Sequence, residues 1–91
     1  MQKKEFVIKN EIGLHARPAA MFVDTTSKFE SKIKICYGDT EANAKSIISV
    51  LSLGLGKNDS FLLKIEGEDE NKAMSKIKSF IENRLGEVKE N

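Results

Sequence analysis

Gly13-Leu14-His15-Ala16-Arg17-Pro18-Ala19-Ala20 is the stretch on which the predicted fold and function depend, and it contains the chain's only histidine and only proline. Pro18 has no backbone N–H and a fixed φ, so it suits the first turn of a helix. The Ala, Met, Phe and Val residues that follow are compatible with a helix. The stretch therefore predicts a loop that passes through His15 into a helix running from about Ala16 to Lys28.

This placement predicts an anion site beside a nucleophile. Amide protons and the positive end of the helix dipole converge at a helix N-terminus, where the guanidinium of Arg17 adds a full positive charge. The same charges disfavour an imidazolium, so we expect His15 to be neutral with a free lone pair. A neutral ring nitrogen facing a phosphate-binding nest is a nucleophile for phosphorus. A histidine taken alone is more often an ordinary surface residue, and only the surrounding motif favours the functional interpretation.

Composition and charge describe an ordinary globular protein and exclude several classes. The 91 residues, 40% hydrophobic and 32% charged, fit a single domain covering residues 1–91. Fifteen basic against fourteen acidic residues give no general attraction to nucleic acid or to anionic membranes. The one cysteine, Cys36, precludes an intramolecular disulfide and favours a reducing compartment. Without a secretory segment or an apolar run of about 20 residues, the chain is expected to be cytoplasmic.

Periodicity predicts the element order βαββαβα. Strands are expected at Glu5–Lys9, Lys32–Tyr37, Thr40–Asn43 and Ser60–Glu66. Ser46 is predicted to cap a short second helix, and Gly67-Glu68-Asp69-Glu70 to open a third, with its acidic residues in the first turn, that Gly86 ends. Almost perfect alternation in the second strand leaves one face of the sheet exposed to water, which favours antiparallel pairing. The predicted fold is α+β with two layers, a four-stranded antiparallel sheet with three helices on one face, and residues 87–91 form a flexible polar tail.

The short second helix lies in a segment with more large apolar side chains than two helical turns can bury. They are Ile47, Ile48, Val50, Leu51, Leu53 and Leu55. We therefore expect a small apolar patch to remain on the surface near Ser46. Either the patch consists of side chains that a core helix leaves unburied, or it is a docking surface for a partner.

Three segments resemble the HPr family, the histidine-containing phosphocarrier proteins of the bacterial phosphoenolpyruvate-dependent sugar phosphotransferase system. The segments are Gly13–Ala20, then Lys45-Ser46-Ile47 followed by Leu53-Gly54-Leu55-Gly56, and the strand and acidic helix start at Phe61–Glu70. The resemblance extends from Phe6 to about Leu85. It implies an open-faced β-sandwich (an HPr-like fold), which agrees with the predicted element order.

The resemblance implies a phosphoryl carrier with no independent turnover, not an enzyme. His15 would accept a phosphoryl group on Nδ1 from phosphorylated Enzyme I, which phosphoenolpyruvate charges, and pass it to sugar-specific EIIA domains. Arg17 matches the arginine that pairs with the phosphoryl oxygens. Ser46 matches a regulatory serine, which implies an HPr kinase/phosphorylase and a catabolite-control transcription factor as further partners. The family partner surface corresponds to Arg17, Ala20, Ile47, Ile48, Leu51 and Gly54.

The resemblance further implies a monomer. No cofactor and no metal are expected, and the charge balance and composition predict no direct binding to nucleic acid or membrane. One departure from the family lies close to the predicted site. Ile12 stands where the family often has a small polar residue, which puts side-chain support for the phosphoryl group from that position in doubt.

Three other functions remain open. A regulatory corepressor module acting through Ser46, without phosphoryl transfer, would not need His15. A small acyl phosphate hydrolase would need groups that hold an attacking water, yet Leu14 and Ala16, the neighbours of His15, supply no base. A nucleic-acid binder is opposed by the near-neutral charge and by the lack of a platform for base stacking.

Overall fold

Alternating apolar side chains build a single antiparallel sheet in the computed structural model, which describes residues 1–89. In chain order the elements are β1 (Gln2–Ile8), α1 (Ala16–Thr26), β2 (Lys32–Tyr37), β3 (Thr40–Asn43), α2 (Ile47–Ser52), β4 (Ser60–Glu66), α3 (Glu70–Arg84) and β5 (Gly86–Val88). The strand order is β3-β2-β4-β1-β5, and every neighbouring pair is antiparallel.

One face of the sheet carries the core, and the helices cover it. The inward side chains of the three central strands are almost completely buried: Phe6, Ile8, Ile33, Ile35, Phe61, Leu63 and Ile65. Helix α1 buries Ala19 and Phe22 in this core, and α3 buries Ile77 and Ile81. Each fully buried large aliphatic or aromatic side chain is worth about 1.5–3 kcal/mol relative to exposure. The α+β open-faced sandwich with three helices on an antiparallel sheet is therefore confirmed.

The predicted sheet lacks one strand that the structure contains. Residues Gly86–Val88 form β5, which pairs with β1, and the N–H of Lys89 donates to the carbonyl of Glu5 over 2.9 Å. Residues 87 and 88 therefore belong to the sheet, not to a flexible tail as predicted, whereas residues 90 and 91 lie outside the described residues. Gly86 permits this pairing, because a Cβ there would lie 1.8 Å from the carbonyl oxygen of Val7.

Helix α1 is two residues shorter than predicted. It begins at Ala16, as expected, and ends at Thr26. The following N–H groups, of Lys28 and Phe29, bond to carbonyls three residues back, so the chain tightens after the helix instead of continuing it. Over residues 1–89, no helix is long and apolar enough to span a bilayer.

Candidate functional site

His15 is the residue immediately before α1, and its side chain is exposed. Its backbone is extended (φ −93°, ψ −172°), and its carbonyl accepts a hydrogen bond from the N–H of Ala19 over 2.9 Å. The imidazole does not cap the helix, because it accepts no hydrogen bond from the backbone of the first turn. The ring nitrogens are therefore open to a molecule that approaches from solvent.

The first turn of α1, which follows His15 directly, carries hydrogen-bond donors and the positively charged side chain of Arg17. Helix geometry leaves the amides of Ala16 and Arg17 without carbonyl partners inside the helix, and Pro18 has no amide proton. The side chain of Arg17 is exposed and takes part in none of the ion pairs found over residues 1–89. Free amides, a helix dipole and an unpaired guanidinium together suit a bound phosphoryl group.

A close backbone contact fixes the loop that leads into His15. Gly13 has φ +79°, and a Cβ there would lie 2.6 Å from the carbonyl oxygen of Leu55 and 2.7 Å from the Cα of Gly56. The next amide, that of Leu14, donates to the same Leu55 oxygen over 2.9 Å. Only glycine permits this approach. Gly13 is therefore required by the contact with Leu55 as well as by the turn, and the sequence alone predicts only the turn.

Ser46 caps α2, as predicted. Its hydroxyl accepts a hydrogen bond from the N–H of Ser49 over 3.3 Å. Within α2 only Val50 is fully buried, while the side chain of Ile48 is 73% exposed. A surface patch therefore remains, made of half-buried Ile47 and Leu51, exposed Ile48 and exposed Gly54. We call it the docking patch after the role that the family resemblance implies for these residues.

The docking patch and His15 belong to neighbouring elements. Helix α1 packs against α2, and the loop before His15 lies against the segment that follows α2. Ala20, which the resemblance assigns to the partner surface, is partly exposed on α1. Ile12 is 71% exposed in the same loop, a large apolar side chain in solvent that the motif alone does not explain.

Cys36 and Glu41 interact with each other on strands β2 and β3. Burial and a hydrogen bond to Glu41 raise the pKa of the Cys36 thiol, which keeps it protonated and a poor nucleophile. Glu41 in turn accepts from Lys34 and Lys64, and these bonds lower its pKa to about 2. Within residues 1–89, no group of three or more His, Cys, Asp or Glu side chains is placed to hold a metal ion.

The fold and the site together define a class of protein, a small open-faced sandwich that displays one exposed histidine at a helix N-terminus. A family model described as "PTS HPr component phosphorylation site" matches residues 2–83. The phosphocarrier protein HPr of Mycoplasma genitalium is 42% identical over 83 residues, which cover 90% of this chain and 94% of that protein. The chain therefore belongs to the HPr family of phosphocarrier proteins.

Solved structures of relatives share the fold closely. The crystal structure of HPr-C-His from Thermoanaerobacter tengcongensis has a TM-score of 0.87 at 43% identity, covering 91% of this chain and 93% of that one. The phosphocarrier protein HPr from Bacillus anthracis has a TM-score of 0.81 at 32% identity, covering 87% and 94%. Both similarities extend through the sandwich and are not confined to the motif at His15.

Proposed function

We propose that His15 receives a phosphoryl group from phosphorylated Enzyme I and delivers it to the EIIA domains of sugar transporters. The observation that carries this proposal is the exposed imidazole at the start of α1, next to unpaired amides and Arg17. A carrier must be reached by a donor and an acceptor in turn, so its reacting nitrogen has to lie at the surface. Membership of the HPr family supports the same role.

The transfer follows from the chemistry of an imidazole nitrogen with an available lone pair. The lone pair on Nδ1 attacks phosphorus, the new nitrogen–phosphorus bond forms, and the bond between phosphorus and the donor breaks. The amides of Ala16 and Arg17 and the Arg17 guanidinium then hold the phosphoryl oxygens. Each charge-assisted hydrogen bond contributes about 1.5–3 kcal/mol, so an acceptor must offer equivalent donors before the group leaves.

The docking patch, together with Arg17 and Ala20, serves both partners in this proposal. Enzyme I and the EIIA domains need access to the same ring, so they bind in alternation. Apolar contacts from Ile47, Ile48 and Leu51 supply affinity without a salt bridge that would slow release. Exposed Gly54 has no atoms within 4 Å of the position of a Cβ, so it adds open surface at the end of α2.

Ser46 is proposed as the regulatory phosphorylation site, acted on by an HPr kinase/phosphorylase. A phosphate there brings about −1.5 to −2 charges to the edge of an apolar docking surface. We infer that it weakens docking by desolvation and repulsion, without refolding the chain, since negative charge at the start of α2 is compatible with the helix dipole. The same modified surface is the candidate contact for a catabolite-control transcription factor.

We also propose that the protein acts as a cytoplasmic monomer with one domain. A single cluster of buried side chains joins the sheet to all three helices, which supports one folding unit. The single free cysteine, Cys36, is compatible with a reducing compartment.

The carrier role is tested by incubating the protein with phosphoenolpyruvate, magnesium and Enzyme I, followed by intact mass spectrometry. We expect one added phosphoryl group that is lost in acid and that is absent from the His15→Ala variant. The Ser46→Ala variant is the matched control and is expected to take up label. An acid-stable label, or one that survives loss of the histidine, refutes the carrier mechanism. No label at all favours the corepressor without phosphoryl transfer.

A further inference from the structure

A groove of about 680 Å³ lies between the C-terminal end of α1 and the C-terminal half of α3. Half-buried Phe29 and Phe80 give it an apolar surface, and Phe80 is held by ring contact with Phe22 at a centroid distance of 6.0 Å. His15 lies at the opposite end of α1, whose 11 residues span about 16 Å. The groove is therefore separate from the proposed phosphoryl site.

Positive charge is concentrated in this groove. Lys28, Lys76 and Arg84 line it, and no carboxylate of residues 1–89 does, although basic and acidic residues are nearly equal in number over the chain. None of these three cations takes part in the ion pairs found over residues 1–89. The two helix C-termini contribute about −0.5 charge each, which leaves the groove clearly positive. Its electrostatic complement is an acidic ligand.

The spacing of the groove residues on α3 distinguishes an extended ligand from a compact one. Lys76, Phe80 and Arg84 follow one another at intervals of four residues, so they lie on one side of the helix about 6 Å apart. Alternate residues of an extended chain are about 6.6 Å apart and point to the same side. An acidic, an apolar and a second acidic side chain at positions i, i+2 and i+4 of such a segment therefore match these three residues. A compact anion would leave the exposed part of the Phe80 ring without a contact from the ligand.

Two small polar side chains complete the match. Ser79 and Asn83 also line the groove, and the amide of Asn83 donates to the hydroxyl of Ser79 over 3.4 Å, a long bond between exposed groups. Such a bond is weak, so both side chains are free to exchange it for the backbone of a bound segment. An extended peptide exposes unpaired N–H and C=O groups that need partners of this kind.

We propose that this groove binds an extended acidic segment of a partner protein, with acidic residues at i and i+4 and an apolar residue at i+2. The bound segment lies at the far end of α1 from His15, so a partner tethered there leaves the imidazole accessible. This second surface does not depend on the phosphoryl-transfer proposal, and its test needs no transfer reaction.

The test is titration of the ¹⁵N-labelled protein with a seven-residue peptide of threonines that carries glutamate at positions 2 and 6 and leucine at position 4. We expect amide shift changes centred on Lys28, Lys76 and Asn83, with those of Ala16 and Arg17 unchanged. Added salt is expected to weaken binding, since the contacts are solvent-accessible ion pairs. A matched peptide with the two glutamates adjacent is expected to bind about tenfold more weakly, because it contacts only one of the α3 cations.

Charge-reversal variants distinguish binding in this groove from general electrostatic attraction between the peptide and the protein. The Lys76→Glu/Arg84→Glu variant is expected to lose at least about tenfold in affinity for the spaced peptide. The Lys3→Glu/Lys32→Glu variant carries the same change in net charge on two exposed sheet residues and is expected to bind normally. Circular dichroism confirms that both variants fold. Equal losses in the two variants, equal binding of the two peptides, or shifts centred on the docking patch would each overturn the proposal.

Discussion

Replacing Gly13 with alanine tests how the fold positions the histidine loop. The residue has φ +79°, where a side chain costs about 1–2 kcal/mol. The new Cβ would also lie 2.6 Å from the Leu55 oxygen, so the loop must move by several tenths of an ångström, at about 1–3 kcal/mol for an overpacked contact. The expected loss in free energy of unfolding is about 2–5 kcal/mol, or roughly 10–30 °C in Tm for a domain of this size.

Gly38→Ala is the matched control for this prediction. Gly38 has φ +59° but no atom within 4 Å of its Cβ position, so it carries the conformational strain without the collision. We expect it to cost only about 1–2 kcal/mol. Thermal unfolding followed by circular dichroism compares the two variants. Equal losses at Gly13 and Gly38 would show that the contact with Leu55 is unimportant and would refute the packing argument.

Three further predictions concern the cap of α2, the ion pairs of Glu41 and the docking patch. Ser46→Ala removes the cap of α2 and should lower the free energy of unfolding by about 1 kcal/mol, measured by urea denaturation, whereas Ser52→Ala should change it less. Because the pKa of Glu41 is lowered, its ion pairs stabilise the fold above about pH 4.5, and this stabilisation is lost as the pH falls toward about 2. In Glu41→Gln the free energy of unfolding should therefore depend less on pH in that window, as measured by denaturation at a series of pH values. An unchanged pH dependence would contradict the ion-pair assignment. Ile48→Ser should leave Tm nearly unchanged while slowing phosphoryl uptake from Enzyme I about fivefold or more in rapid-quench assays, and an undiminished rate would exclude Ile48 from docking.

The sequence predicts β2, β3 and β4 at their observed bounds, and it predicts all three helices from apolar periodicity, the Ser46 cap and terminal glycines. Strand β1 begins at Gln2, three residues before the predicted start, because its first residues do not alternate between apolar and polar side chains. The sequence does not predict β5, because Gly86-Glu87-Val88 is too short to show alternation. That strand exists through its partner β1, and through a glycine whose missing Cβ lets the chain approach the carbonyl of Val7. A pairing of this kind is tertiary information, which local periodicity does not contain.

The sequence also predicts part of the candidate site, but not the long-range contacts that shape it. The single proline predicts the start of α1 at Ala16, and the apolar surplus around α2 predicts that side chains such as Ile48 stay exposed. The contact of Gly13 with Leu55 joins residues more than forty positions apart, and no spacing rule signals it. The groove between α1 and α3 is not predicted from the sequence for the same reason, since Lys28 and Lys76 line one groove only in the folded chain.

The role of His15 is tested most directly by NMR of the ¹⁵N-labelled protein before and after phosphorylation by Enzyme I. A chain with one histidine gives one ring to follow. We predict that the ring becomes substituted at Nδ1 and that the backbone amides of Ala16 and Arg17 show the largest shifts, since they receive the phosphoryl oxygens. Phosphorylation at another residue, or a phosphorylated ring with the Ala16 and Arg17 amides unmoved, would contradict the proposed site.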